Sequence, residues 1–200
     1  MLRDAMTDYQ SLLELLAQKS VKRGQFTLAS GKTSDIYIDV RMTSMSPEGL
    51  SQIGPLALQA IRSEGWAIDS IGGMTLGADP IAYAISYAST FQGPSLRAFT
   101  VRKDTKLHGT GKLIEGPFIP GDRVVIIEDV ITTGGSALQA IETVRKAGGD
   151  IRGVLALVDR KEGGREALEH AGYPVISLIT IDELISASSV ADATRASAVE

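Results

Sequence analysis

Between Asp4 and Lys19 the residues Leu12, Leu13, Leu15 and Leu16 cluster at helical spacing, and Gly24 is read as the close of that region. Ile36, Ile38 and Val40 then alternate with Tyr37 and Asp39, which is the two-residue period of a strand. Ser46 followed by Pro47 predicts a helix start, with serine as cap and proline in the first turn. Leu50, Ile53, Leu56, Leu58 and Ile61 form its apolar face and Gly65 ends it. Beyond it the pattern predicts a strand at Ala67 to Ile71, a helix at Pro80 to Ser89 and a strand at Leu96 to Val101. The apolar run Val124 to Ile127 is short enough for a buried strand, and Ala137 to Ala147 is helical up to Gly148 and Gly149. A strand at Val154 to Val158, a helix at Glu162 to His170, a strand at Val175 to Thr180 and a short helix at Ile181 to Ile185 complete the series.

From residue 67 onward strands and helices alternate, and the strands are apolar on both faces. That is the pattern of an α/β fold, a parallel sheet buried between helix layers. Ligands in such sheets bind beyond the carboxyl ends of the strands, so the strand-to-helix loops are the places to look for chemistry. Residues 1–185 read as a single domain, and the small, polar stretch 186–200 reads as a flexible tail.

Composition narrows the classes. The 200 residues include 24 acidic and 20 basic side chains, a formal net charge of −4, with 44% hydrophobic and 22% charged residues. This is ordinary globular composition and excludes disorder as the main state. Cysteine is absent, so there is no disulfide framework, thiolate metal site or cysteine nucleophile, in keeping with a reducing, cytoplasmic setting. No apolar run approaches the ~18 residues of a membrane span, and Met1 to Asp8 has no apolar signal core. Mild acidity argues against nucleic acid as the partner, since phosphate backbones are met by a basic face. With His108 and His170 as the only histidines, a histidine-rich metal site is excluded.

The first candidate chemistry follows the apolar run, in the stretch from Val124 to Ser136. A buried strand delivers Glu128 and Asp129, then Val130 and Ile131, and Thr132, Thr133, Gly134, Gly135 and Ser136 open a helix. A glycine-rich turn at a helix start presents backbone N–H groups and the positive end of the helix dipole, a cradle for phosphate. The bland alternative is a plain turn with a serine cap. Two carboxylates beside a phosphate would repel it unless the ligand also offers hydroxyls or a metal ion, and a ribose 5-phosphate does offer a diol. The alternative for the acids is an exposed strand end. Neither a Gly-Lys-Ser/Thr phosphate loop nor a Gly-x-Gly-x-x-Gly fingerprint is present.

A second candidate is basic. Arg102, Lys103, Lys106 and Lys112 lie close together with His108, and Gly109, Gly111 and Gly116 make the stretch flexible. Alone it reads as a solvated loop. Beside a phosphate site in an acidic protein it becomes a candidate lid for a polyanion.

The run from Val124 to Ser136 resembles the 5-phosphoribosyl 1-diphosphate signature of the type I phosphoribosyltransferases. Arg102 to Gly109, with Glu115 and Gly116, resembles the mobile catalytic loop of the orotate phosphoribosyltransferases within that family. Phe26 to Ser34, with Tyr37 and Asp39, is similar to the hood segment over the base. Gly72 to Pro80 is similar to the diphosphate loop, and Leu157 to Arg160 also matches. The resemblance spans residues 5 to 185. It implies a twisted, mostly parallel sheet flanked by helices, with a hood made mainly of residues 1–45 plus carboxyl-terminal elements. It implies transfer of the 5-phosphoribosyl group to orotate in pyrimidine biosynthesis. Thr132 to Ser136 would hold the 5-phosphate with Val130 and Ile131 alongside, Glu128 and Asp129 the ribose hydroxyls, and Thr132 and Arg160 the orotate. Lys103, Lys106, His108 and Asp129 are the implied catalytic residues, with Arg102 supplied in trans from a homodimer partner. Mg²⁺ is the implied cofactor, held by substrate with no direct protein ligand and with Asp129 as the candidate to reach it through water.

The chain departs from the family at two positions. Ala29 and Gly77 stand where many members carry lysine, so neither is given a cationic role, and Lys32 is the candidate replacement in the hood. Two rival readings are a transferase for a purine base and a regulatory module that senses the phosphoribosyl donor. Arg160 and the hood oppose the first. The short segment before Phe26, with no basic DNA-binding face, and the intact lid oppose the second.

Overall fold

A computed structural model describes residues 5–27, 33–103 and 112–197. The expectations that fall on Ala29, Lys32, Lys106 and His108 lie outside these residues.

Chain order gives the helix α1 (Ala5–Ser20), the strands β1 (Val21–Thr27) and β2 (Thr33–Ile38), and the helices α2 (Arg41–Ser44) and α3 (Pro47–Ser63). There follow β3 (Ser70–Met74), α4 (Ala78–Ser89), β4 (Arg97–Val101), β5 (Ile114–Glu115), β6 (Arg123–Ile131) and α5 (Gly135–Lys146). The chain then forms β7 (Asp150–Asp159), α6 (Gly164–His170), β8 (Val175–Thr180) and α7 (Ile181–Ser197). The start of α3 follows from local chemistry: the Ser46 hydroxyl accepts from the Gly49 N–H at 3.1 Å, and Pro47 occupies the first turn, where no N–H is needed.

Six strands form one sheet in the order β5-β4-β3-β6-β7-β8, parallel except for the short β5. Both faces are covered, and β6 shows how. Val125 and Ile127 join the core made with α1, α3 and α4, while Val124 and Ile126 join the core made with α5 and α6. All four are fully buried, which is why this strand reads as a continuous apolar run rather than an alternating one. β1 and β2 pair separately as an antiparallel hairpin beside α1.

The order of strands decides where a ligand can sit. From β3 the chain steps outward to β4, then returns to the other side of β3 as β6 and continues to β7 and β8. The loops after β3 and after β6 therefore leave adjacent carboxyl ends in diverging directions, which opens a crevice at the switch point.

Several elements differ from the sequence-based expectation. Gly24 does not end a helical region. It lies within β1 at φ +151°, where the register shifts between Arg23 and Phe26, a bulge that glycine makes inexpensive. β3 spans Ser70–Met74 rather than Ala67 to Ile71: Gly72 and Gly73, poor strand formers by propensity, lie inside it because only glycine fits there between β4 and β6. A Cβ on Gly73 would collide with the Ile127 carbonyl. The last helix does not stop at Ile185 but runs to Ser197. α7 docks on α1, Ala187 packs against the core, Ser188 is buried, and the Arg23 guanidinium donates to the Ser188 and Ser189 hydroxyls at 3.1 and 2.7 Å. Tertiary contact thus carries a helix through small residues whose pattern is barely amphipathic.

Candidate active site

β6 does not end at its last apolar neighbour. Its ladder to β7 pairs Glu128 with Ala156, Val130 with Val158 and Ile131 with Asp159. The acids are therefore inside the strand, and the reading of an exposed strand end fails: Glu128 is 7% exposed and its Oε1 is buried with no hydrogen-bond partner. Burial, reinforced by the neighbouring Asp129 charge, pushes the Glu128 carboxyl up to about 8. Asp129 is half-buried, and burial raises it too. The Val130 N–H donates to its Oδ1 at 2.9 Å and Arg41 draws it back down. Two desolvated carboxyls, one with an unanswered oxygen, call for hydroxyl donors or a cation. Among the described residues no group of three or more histidine, aspartate or glutamate side chains could hold a metal. A metal here would take its other oxygens from substrate and water, as Mg²⁺ characteristically does.

The glycine-rich turn opens α5. Gly134 is the N-cap of this helix in the left-handed region, φ +80°, and no side chain caps the helix, so the serine-capped turn does not form. The first N–H groups of α5 are left for another acceptor. Thr133, Gly135 and Ser136 are exposed, and Thr132 is half-buried. A side chain at position 134 would press on the Gly164 carbonyl at 2.9 Å, so glycine is needed for space as well as for φ.

The loop after β3 lies beside the acids. Asp79 fixes it by accepting from the Thr75 hydroxyl at 2.7 Å and the Thr100 hydroxyl of β4 at 2.8 Å. A Cβ on Gly77 would collide with the Asp129 carboxylate. The space that a lysine stem would need in this chain is filled by the acid itself.

Arg160 closes a third side. Its N–H donates to the Ile131 carbonyl at 3.0 Å, which ties the end of β7 to the end of β6. Its guanidinium Nε lies 2.9 Å from the Glu162 carboxylate. Asp159, buried, shapes the turn by accepting from the Lys161 N–H at 2.8 Å and from Arg165 at 3.0 Å, with Lys161 at φ +53°.

The two ends of the basic loop are joined. The Arg102 N–H donates to the Leu113 carbonyl at 2.9 Å, and the Arg102 guanidinium is 3.6 Å from Glu115. Lys103 is exposed. Glu128, Asp129, Val130 and Ile131 thus close β6, Thr132 to Ser136 lead from it into α5 and Arg160 follows β7, while Arg102 and Lys103 stand at the root of the loop, just beyond β4; the Ile131 side chain is buried in the core rather than turned to a ligand.

Arg41 escaped the sequence reading. It pairs with Asp39 through Nε at 2.8 Å and Nη2 at 3.1 Å, and its charge acts on Asp129. A carboxylate two positions before an arginine at the end of a strand was its only sequence signal.

Comparison with known proteins agrees with this fold. No family model matches the chain. An orotate phosphoribosyltransferase of Aquifex aeolicus is 42% identical over 183 residues, 90% of this chain and 99% of that one. The crystal structure of Mycobacterium tuberculosis orotate phosphoribosyltransferase in complex with Fe(III) dicitrate superposes with a TM-score of 0.80 at 40% identity, covering 88% of this chain and 98% of that chain. The same enzyme in complex with 5-phospho-α-D-ribosyl 1-diphosphate gives a TM-score of 0.73 at 34% identity, covering 89% and 92%.

Proposed function

The chain belongs to the orotate phosphoribosyltransferase family, enzymes of the pentosyltransferase class, and from that premise we propose that its switch-point crevice transfers the 5-phosphoribosyl group from 5-phosphoribosyl 1-diphosphate to orotate, giving orotidine 5′-phosphate and diphosphate. The observation that carries this reading is the buried, unsatisfied Glu128 with Asp129 beside an uncapped, glycine-rich helix start. A ligand with a diol next to a phosphate answers both.

In the reaction N1 of orotate gives up its proton to solvent and forms a bond to C1 of the ribose as the bond from C1 to the diphosphate oxygen breaks, with inversion at C1. Positive charge develops on the ribosyl ring as at other anomeric centres. Thr132, Thr133, Gly134, Gly135 and Ser136 hold the 5-phosphate through N–H and hydroxyl donors, with the Val130 and Ile131 backbone alongside. Glu128 and Asp129 accept from the ribose hydroxyls, and negative charge on Asp129 favours a cationic ribosyl centre over the neutral ground state. Arg102, Lys103, Lys106 and His108 stabilise the charge gathering on the leaving diphosphate. Mg²⁺ would supply further positive charge against the leaving diphosphate, and Asp129 would be the residue to reach it through water. Arg160 holds the orotate carboxylate through its planar fork, with Thr132 at the base's edge.

The chain acts as one domain that includes α7 beyond Ile185, with the hood over the base, and the active unit is a homodimer in which each lid serves the partner's site. An aromatic row on and just after α4 supports the dimer: Tyr83, Tyr87 and Phe91 are 52%, 70% and 71% exposed. The Tyr83 hydroxyl lies 2.8 Å from that of Thr100, on the strand from which the lid departs, so a partner covering this row also meets the lid's root. The cysteine-free composition supports a cytoplasmic setting. Among the described residues no helix is long and apolar enough to cross a membrane.

Arg160→Lys tests the base site. Lysine keeps the charge and loses the fork, so the orotate KM should rise roughly tenfold or more, the cost of one charge-assisted hydrogen bond at about 1.5–3 kcal/mol. The KM of the phosphoribosyl donor should change less. Steady-state kinetics in both substrates checks this, and a change confined to the donor KM removes Arg160 from the base.

A further inference from the structure

Arg160 already has a carboxylate beside it. Its Nε lies 2.9 Å from Glu162 Oε1, yet this buried nitrogen meets no hydrogen-bond geometry, so the acid sits near the cation without satisfying its N–H. The two side chains differ in freedom: Arg160 is 23% exposed and Glu162 46%. The backbone between them is fixed. Lys161 stands at φ +53° with its N–H on Asp159 and its ammonium on Asp182 at 2.6 Å, and Gly163 follows at φ +90°. Glu162 can therefore swing to solvent while Arg160 stays aimed.

We propose that Glu162 is a placeholder carboxylate: it occupies the Arg160 guanidinium in the free enzyme and is displaced by the carboxylate of the incoming base, so that it competes with anionic pyrimidines and not with neutral ones. The inference rests on the reading of Arg160 as the orotate contact. Its physical basis is charge exchange. The crevice already contains the Asp129 carboxylate, and an added anion would be repelled. If one negative charge leaves Arg160 as another arrives, the net charge around the guanidinium is unchanged. The pair given up is loose and half exposed, and such pairs are weak. The pair gained is a bidentate one in a more buried setting. A neutral base has nothing to exchange for Glu162 and leaves it in place.

The test is equilibrium dialysis of labelled orotate, with uracil as the carboxylate-free competitor, on the full chain as wild type, Glu162→Gln, Arg160→Gln and the double variant. Removing the competing charge while keeping the side chain's shape should lower the orotate Kd about threefold to fivefold, the range open to an exposed pair. The uracil affinity should stay unchanged, and Glu162→Gln should have no effect once Arg160 is Gln. An orotate Kd that rises or stays level in Glu162→Gln, while Arg160→Gln weakens binding, overturns the placeholder and leaves the base site intact. Equal tightening of orotate and uracil overturns it as well. An orotate Kd indifferent to Arg160→Gln overturns both the placeholder and the base-site reading.

Discussion

The double substitution Glu128→Gln with Asp129→Asn is expected to leave a folded protein whose turnover is at least ~10²-fold lower, the scale on which well-placed electrostatic groups act. Folding survives because a neutral amide replaces a carboxyl that burial already holds uncharged, not because the acids sit at an exposed loop: Glu128 is inside β6. Stability should report the same fact. In the unfolded chain Glu128 loses its proton near the usual 4.5, while in the fold burial keeps it until about 8. Between those values the folded protein binds more protons than the unfolded chain, so wild-type stability falls as pH rises through that window. Asp129, also raised by burial, adds in the same direction. The amides do not titrate. The variant should therefore match the wild type near the acid end and exceed it in Tm above pH ~8. Near-normal turnover in a folded variant would refute the ribose role, and parallel Tm profiles would show that Glu128 is not held uncharged.

The other large effect joins lid and dimer. A Lys106→Ala subunit keeps its acids and phosphate cradle, and a subunit with Glu128→Gln and Asp129→Asn keeps its lid. Each homodimer should be nearly inactive. If the lid serves the partner's site, mixing the two should restore activity, because a mixed dimer contains one site built from two sound halves. With random exchange at equal amounts, half the dimers are mixed and one of their two sites is sound, giving roughly a quarter of wild-type activity. No recovery, once exchange is confirmed by mass, would mean that the lid closes over its own subunit.

The sequence made the layered fold legible where chemistry is local. Val124 to Ile127 announced a buried strand, and Ser46 with Pro47 announced α3. It failed where tertiary contact overrides local pattern. Glu128 and Asp129 looked like the end of a strand because they are charged, yet the ladder to β7 continues to Ile131 and buries them. The burial that gives Glu128 its chemistry is a property of the neighbouring strand. Gly24 read as a terminator is a bulge, and the tail read after Ile185 is a helix held by α1. The glycine-rich start of α5 was legible, since glycine and hydroxyl residues at a helix start act within a few positions of one another. Arg41 was not, because its approach to Asp129 joins the hood to the sheet across a distance that no spacing rule spans.

Gly77 gives the departure from the family a physical form. The Asp129 carboxylate fills the volume a side chain would need, so the missing lysine is matched by the placement of the acid, and Arg41 is the cation whose charge reaches it.

The central claim is tested most directly by release of diphosphate from 5-phosphoribosyl 1-diphosphate and Mg²⁺ with orotate, and in parallel with adenine, hypoxanthine and uracil. Release with orotate, coupled one to one with orotidine 5′-phosphate and far faster than with the other bases, is the predicted result. Release with a purine and none with orotate would contradict it.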